Sequence, residues 1–115
     1  MHVWGPVMIL PYSGAEDSIA TLESVGRDAA AREVAVVVLD LGGALLEATG
    51  GALALERVLA AVEERGADTI LAGVSPRSEA AIGDLAARHC VLQRELPDAI
   101  AAAFQIAHAR RRGTA

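Results

Sequence analysis

At 115 residues the chain fits one domain, long enough to bury a core without disulfide or metal staples. Hydrophobic residues make up 53% but aromatics only 3%, so the core must be assembled from Ala, Val, Leu and Ile, which favours helices packed closely on a sheet. A net charge of −5 with no lysine at all argues against non-specific nucleic-acid binding, which needs basic patches.

A single cysteine, Cys90, excludes an internal disulfide and fits a reducing compartment. No stretch approaches the ~20 uninterrupted apolar residues of a membrane span. The N-terminus lacks the basic region and apolar core of a signal peptide. The expectation is a cytoplasmic domain away from membranes.

Val3–Tyr12 reads as strand, centred on Val7–Leu10. Gly5-Pro6 interrupts it, giving two short strands or one bent edge strand. Pro11 marks its end. Asp17 or Ser18 caps a helix in which Ile19, Leu22, Gly26 and Ala29 share one face. Val34–Leu39 is a continuous apolar run, the pattern of a strand covered on both sides. It ends in Asp40, and a glycine-rich turn leads through Thr49 to a helix over roughly Gly51–Arg65. Leu55, Val58, Leu59 and Val62 form its apolar stripe, and Gly66 suits the C′ position. Thr69–Ala72 is a short strand. Ser75-Pro76 is a helix start, with Ser as N-cap. Ile82, Leu85, Ala86 and His89 line that helix's inner face. Cys90–Leu92 is a brief strand or extended connection, and Pro97 opens a last helix with Ile100, Phe104 and Ala107 on one face. Arg110–Arg112 reads as a solvated helix end or frayed tail, since cations suit helix C-termini.

The alternation implies α/β architecture with a largely parallel or mixed sheet. The connections are too short for a second domain. The expected domain covers residues 3–108, with a basic tail over 109–115.

Catalytic signatures are missing. A P-loop needs a lysine after its glycines. Gly42-Gly43 and Gly50-Gly51 lack GxGxxG spacing. His2, His89 and His108 share no metal-ligand spacing with Cys90, so no metal or other cofactor is expected. His89 and Cys90 are adjacent but sit in no nucleophile turn, and both read as structural. Asp40 is either a functional carboxylate or the holder of the following turn through backbone hydrogen bonds. A non-enzymatic role follows.

The stretch VVVLDLGGALLEATGGALALERVLAAVEERGADTILAGVSPRSEAAIGDLA resembles the STAS domain of anti-sigma factor antagonists, and within that family the stressosome branch, the RsbR/RsbS type. In that family the second main strand ends in an Asp-hydrophobic-x-Gly turn, here Asp40, Leu41 and Gly43. A phosphorylatable Ser or Thr follows at a helix start, here Thr49. The helix ends in a Gly-Ala step, Gly66-Ala67. The next strand ends in a Gly-hydrophobic-x-Pro signature, here Gly73, Val74 and Pro76. Coverage runs from about Val3 to Ala107.

The resemblance implies a STAS-like mixed sheet of four to five strands, with about four helices packed mainly on one side. It implies function through protein contact in a bacterial partner-switching pathway of stress signalling. Its partners are a serine/threonine kinase, or an anti-sigma factor of the switch-kinase type. Other STAS proteins join it in homo- or hetero-oligomers. Thr49 becomes the phosphoacceptor, and Asp40, Gly42, Gly43, Glu47, Ala48, Gly50, Gly51 and Ser75 the docking patch. Ala48 stands where the family usually has Asp, and Ala72 where some stressosome proteins have a second acceptor threonine. The alternative is a STAS-like domain that senses a lipid or nucleotide.

Overall fold

The structure, a computed structural model, describes residues 2–12, 23, 27, 34–42, 50–76, 79–80 and 90–113. Five strands form one sheet in chain order: β1 (His2–Trp4), β2 (Val7–Pro11), β3 (Val36–Asp40), β4 (Asp68–Ala72) and β5 (Cys90–Gln93). β1 pairs antiparallel with β2, and the remaining neighbours are parallel. The break at Gly5-Pro6 therefore makes two strands, with Gly5 turning at φ 59°. The Pro6 carbonyl accepts from the amides of Ala35 and Val36, which ties this turn to the entry of β3.

β3 is the middle strand, and Val36, Val37, Val38 and Leu39 are each fully buried. Alternation sorts them onto two cores. Val37 and Leu39 join Met8, Leu10 and Leu71 on one face; Val36 and Val38 join Val7, Ile9 and Ile70 on the other. An unbroken aliphatic run is what a parallel strand covered on both faces requires.

Helix α1 (Gly50–Glu64) covers the first face with Leu55, Val58, Leu59 and Val62, all buried. Its end is a Schellman turn. Gly66, at φ 76°, donates to the Glu63 carbonyl at 2.9 Å, and Ala67 donates to that of Val62 at 3.2 Å. Val62 and Ala67 both lie in the core beneath this turn.

Helix α2 (Leu96–Gly113) covers the opposite face. The two described helices thus lie on opposite faces, and the other two helices of the expected four, packed mainly on one side, fall largely outside the described residues. Right-handed crossovers place the helices that connect successive parallel strands on a common face. α2 follows the last strand and makes no crossover, so that rule leaves it free.

Two details of α2 differ from expectation. Its buried stripe is Ala99, Ala103 and Ala107, while Phe104 is 40% exposed. Ala107 is buried as expected and Ile100 partly so, while Ala99 and Ala103, each one residue earlier, take the fully inward positions expected of Ile100 and Phe104. Arg110 is exposed near the end of α2, as expected, but it is also tied to the sheet. It donates to the carbonyls of Ala35, at 2.8 Å, and Gly66, and lies 3.5 Å from the Asp68 carboxylate. The helix capped by Asp17 or Ser18, and the inner face Ile82, Leu85, Ala86 and His89, lie outside the described residues.

Candidate functional site: the cleft at the strand C-termini

β3, β4 and β5 run parallel, so their exits meet at one end of the sheet, where open α/β sheets usually hold their ligands. A cleft of about 450 Å³ opens there. Its walls come from three exits: Asp40 and Gly42 after β3, Gly73–Pro76 after β4, and Arg94–Leu96 after β5.

The β3 exit is held by its own residues. Asp40 Oδ1 accepts from the Gly42 amide at 3.0 Å, closing a turn in which Gly42 sits at φ 58°. The Asp40 carbonyl accepts from the Tyr12 amide at 2.8 Å, and the Leu41 amide donates to the Ala72 carbonyl at 2.9 Å. Of the two readings open for Asp40, the turn-holding one is what its geometry shows. Leu41 and Val74, both buried, anchor the two exits in the α1-side core.

The β4 exit presses against this turn. Gly73 sits at φ 68°, and a Cβ there would lie 2.8 Å from the Gly42 nitrogen and 3.3 Å from Asp40 Oδ1. Only glycine permits that approach. Beyond it, the Ser75 carbonyl accepts from the Glu79 amide at 2.9 Å, so Ser75 occupies the N-cap position expected of it. The β5 exit turns directly into α2. The Glu95 carbonyl accepts from the Ala99 amide, and Asp98 lies in the first helical turn, where a carboxylate is favoured.

The structure thus brings Asp40, Gly42 and Ser75 together in one cleft. Gly50 and Gly51 form the first turn of α1. Gly43, Glu47, Ala48 and Thr49 lie outside the described residues. Arg94, Glu95 and Leu96 were missed as site residues. The signal that could have found them is topological: once Cys90–Gln93 is a parallel strand, its exit must join the other two.

Burial, with Glu63's charge added, pushes the Cys90 thiol from 9.0 to about 12. A thiol so placed stays protonated at neutral pH and is a poor nucleophile. Among the described residues, no group of three or more His, Cys, Asp or Glu could hold a metal ion, and no helix is long and apolar enough to cross a membrane.

No family model matches the chain, and neither does any curated protein. Among solved structures, it is similar to a sulfate transporter family protein from Wolinella succinogenes. The TM-score is 0.74 at 20% sequence identity, over 94% of this chain and 93% of that one. Likeness at that identity speaks to the fold alone. The chain is a mixed α/β domain, with four parallel strands and an antiparallel edge strand, whose architecture is consistent with a STAS-like fold.

Proposed function

We propose that the chain is a non-enzymatic protein-interaction module of the partner-switching kind, related to anti-sigma factor antagonists and stressosome components. Its docking surface is the cleft rim together with the start of α1. The observation that supports this reading most is the meeting of Asp40, Gly42 and Ser75, from two separate strand exits, on one cleft. Glycine packing between Gly73 and Gly42 fixes the relative position of those exits. A preformed rim of this sort suits recognition of a folded partner, since little ordering is left to be done on binding.

Thr49, one residue before α1, is the switch in this reading. A threonine directly before a helix start is an N-cap residue type by sequence, a role typically worth about 1 kcal/mol. Phosphorylation adds about −1.5 to −2 charges at pH 7 beside free helix N–H groups. In this reading the added charge makes a docking surface that already carries Asp40, Glu95 and Arg94 more anionic. The partners are a serine/threonine kinase or an anti-sigma factor of the switch-kinase type, and further STAS domains in a homo- or hetero-oligomer.

The test is incubation with a switch kinase encoded beside the gene, followed by phosphate mapping. Phosphate is expected on Thr49 and absent in Thr49→Ala, and Thr49→Glu is expected to weaken binding of the unmodified protein's partner. Phosphate that persists in Thr49→Ala, or full-strength binding by Thr49→Glu, sinks the switch.

The cleft itself favours a second reading, as a lipid- or nucleotide-sensing domain, because its volume falls in the range of small-ligand sites of roughly 300–1,000 Å³. Native mass spectrometry separates the two: a copurified ligand of constant mass supports sensing, and ligand-free protein that still binds its partner supports the interaction module.

A further inference from the structure

The whole chain holds three aromatic residues. Tyr12 is buried in the core, whereas Trp4 is 51% and Phe104 40% exposed. Tryptophan and phenylalanine are enriched where proteins meet one another, and here the core uses neither fully.

Both rings belong to one flank of the molecule. Trp4 stands opposite Val7 in the β1–β2 pairing, and opposite residues point to the same face. Val7 is buried in the core beneath α2, so Trp4 is on the α2 side of the sheet. Handedness places Phe104. The crossover from β3 through α1 to β4 is right-handed, and α2 covers the other face. α2 runs from the strand exits, where Leu96 lines the cleft, to the strand entries, where Arg110 meets Ala35 and Gly66. Ala103 faces the sheet, so the next residue of this right-handed helix, turned by about 100°, lies toward β1 and not toward β5.

β1 forms the edge of this flank, with β2 as its strand neighbour. Gly5-Pro6 is a two-residue hairpin turn, so Trp4 and Val7 close the hairpin as a hydrogen-bonded pair. Pairs alternate along an antiparallel ladder, and the backbone N–H and C=O of Val3 therefore point away from β2. An outward donor and acceptor beside exposed rings suit the addition of another strand. The flank is also the uncharged part of an acidic chain. Residues 2–12 contain no Asp, Glu, Lys or Arg, although the net charge is −5. Nothing there selects a partner of opposite charge, and nothing there repels a second copy.

We propose that β1 pairs antiparallel with β1 of a second copy, centred on Val3, with Trp4 and Phe104 of both copies closing over the seam. The two five-stranded sheets become one across a two-fold axis. A three-residue strand buries little by itself, and the rings supply apolar area toward the roughly 1,200–2,000 Å² of a stable interface. Pairing β1 with β5 of another copy would leave an edge open on each and grow into filaments, whereas pairing β1 with itself closes at two. The cleft, built on the exits of β3, β4 and β5, and α1 on the opposite face stay open to other partners. The proposal deepens the self-association in the reading above and fails separately from the Thr49 switch, which phosphate mapping tests.

Sedimentation of the full chain over a range of concentrations tests this. The wild type is expected to form a dimer that dissociates at about 1–100 μM, the weak end for a small interface. Trp4 is the single tryptophan, so its emission should shift to the blue in step with dimer formation. Trp4→Ala and Phe104→Ala are each expected to weaken the dimer about tenfold or more. Val91→Ala, at the exposed apolar residue of the opposite edge strand, should leave it unchanged. Val3→Cys in a Cys90→Ala background should give a covalent dimer with a short bismaleimide, because Val3 meets its own copy across the axis. A monomer up to about ten times that range, growth beyond two copies, or a dimer lost in Val91→Ala and kept in Trp4→Ala overturns the proposal. So does a monomer whose Trp4 emission shifts only with anionic lipid vesicles, which assigns the flank to a membrane. If Trp4→Ala does not fold, the Val3→Cys cross-link decides alone, and its absence refutes the pairing.

Discussion

A Cβ on Gly73 would stand 2.8 Å from the backbone nitrogen of Gly42, the donor that Asp40 Oδ1 accepts at 3.0 Å. One missing side chain thus lets two strand exits touch, and this contact carries the cleft wall. Gly73→Ala meets both a clash with backbone and a left-handed φ, and is expected to destabilise by roughly 2–4 kcal/mol. At Gly66, φ is also positive but nothing lies within 4 Å, so Gly66→Ala is expected to cost only about 1 kcal/mol. Urea unfolding of both variants checks the order, and equal losses contradict the close approach.

Asp40 holds its turn as a hydrogen-bond acceptor. Asp40→Ala is expected to lose about 1 kcal/mol, while Asp40→Asn keeps an oxygen for the Gly42 amide and stays within about 0.5 kcal/mol of wild type. The same pair reports on docking. If a partner needs the carboxylate's charge, Asp40→Asn weakens binding at unchanged stability, measured by calorimetry beside the unfolding curve.

A buried and an exposed large side chain on the two helices separate cleanly. Leu59, 1% exposed beneath α1, is expected to cost about 2–5 kcal/mol on change to Ala. Phe104, 40% exposed on α2, is expected to cost under about 1 kcal/mol on the same change. Thermal melts of the two variants decide whether α2 turns its alanines or its phenylalanine inward.

Burial holds the Cys90 thiol at about 12 against an ordinary 9.0, with Glu63 acting in the same direction. The folded state then binds the thiol proton more tightly than the unfolded state. This contribution to stability is complete below pH 9 and is lost as the pH rises toward 12. Iodoacetamide labelling at pH 8 should be far slower than for the denatured chain, and Cys90→Ala should flatten the loss of stability between pH 9 and 11. Labelling at the denatured rate would contradict the buried thiol.

Local pattern carried a good part of this protein. Val36–Leu39 reads as a doubly covered strand because four consecutive aliphatic side chains have no polar face to show to water. The stripe at Leu55, Val58, Leu59 and Val62, with Gly66 behind it, specifies a helix and its end through spacing and one backbone angle. Asp40 before a glycine announces its turn, and Ser75 before Pro76 its cap, since both act on backbone groups a few residues away.

The third dimension decided what depends on contact across the chain. An alanine-rich helix is nearly featureless in hydropathy, so the face of α2 was settled by fit against the sheet, where small side chains allow close approach. Its place after β5 leaves it outside the crossover rule, so either sheet surface was open to it and packing decided. Arg110 found its acceptors at Ala35 and Gly66, 75 and 44 residues away. Parallel pairing, likewise, brought Arg94–Leu96 beside Asp40, Gly42 and Ser75. Spacing records only neighbours along the chain, and these groups become neighbours only when the strands align.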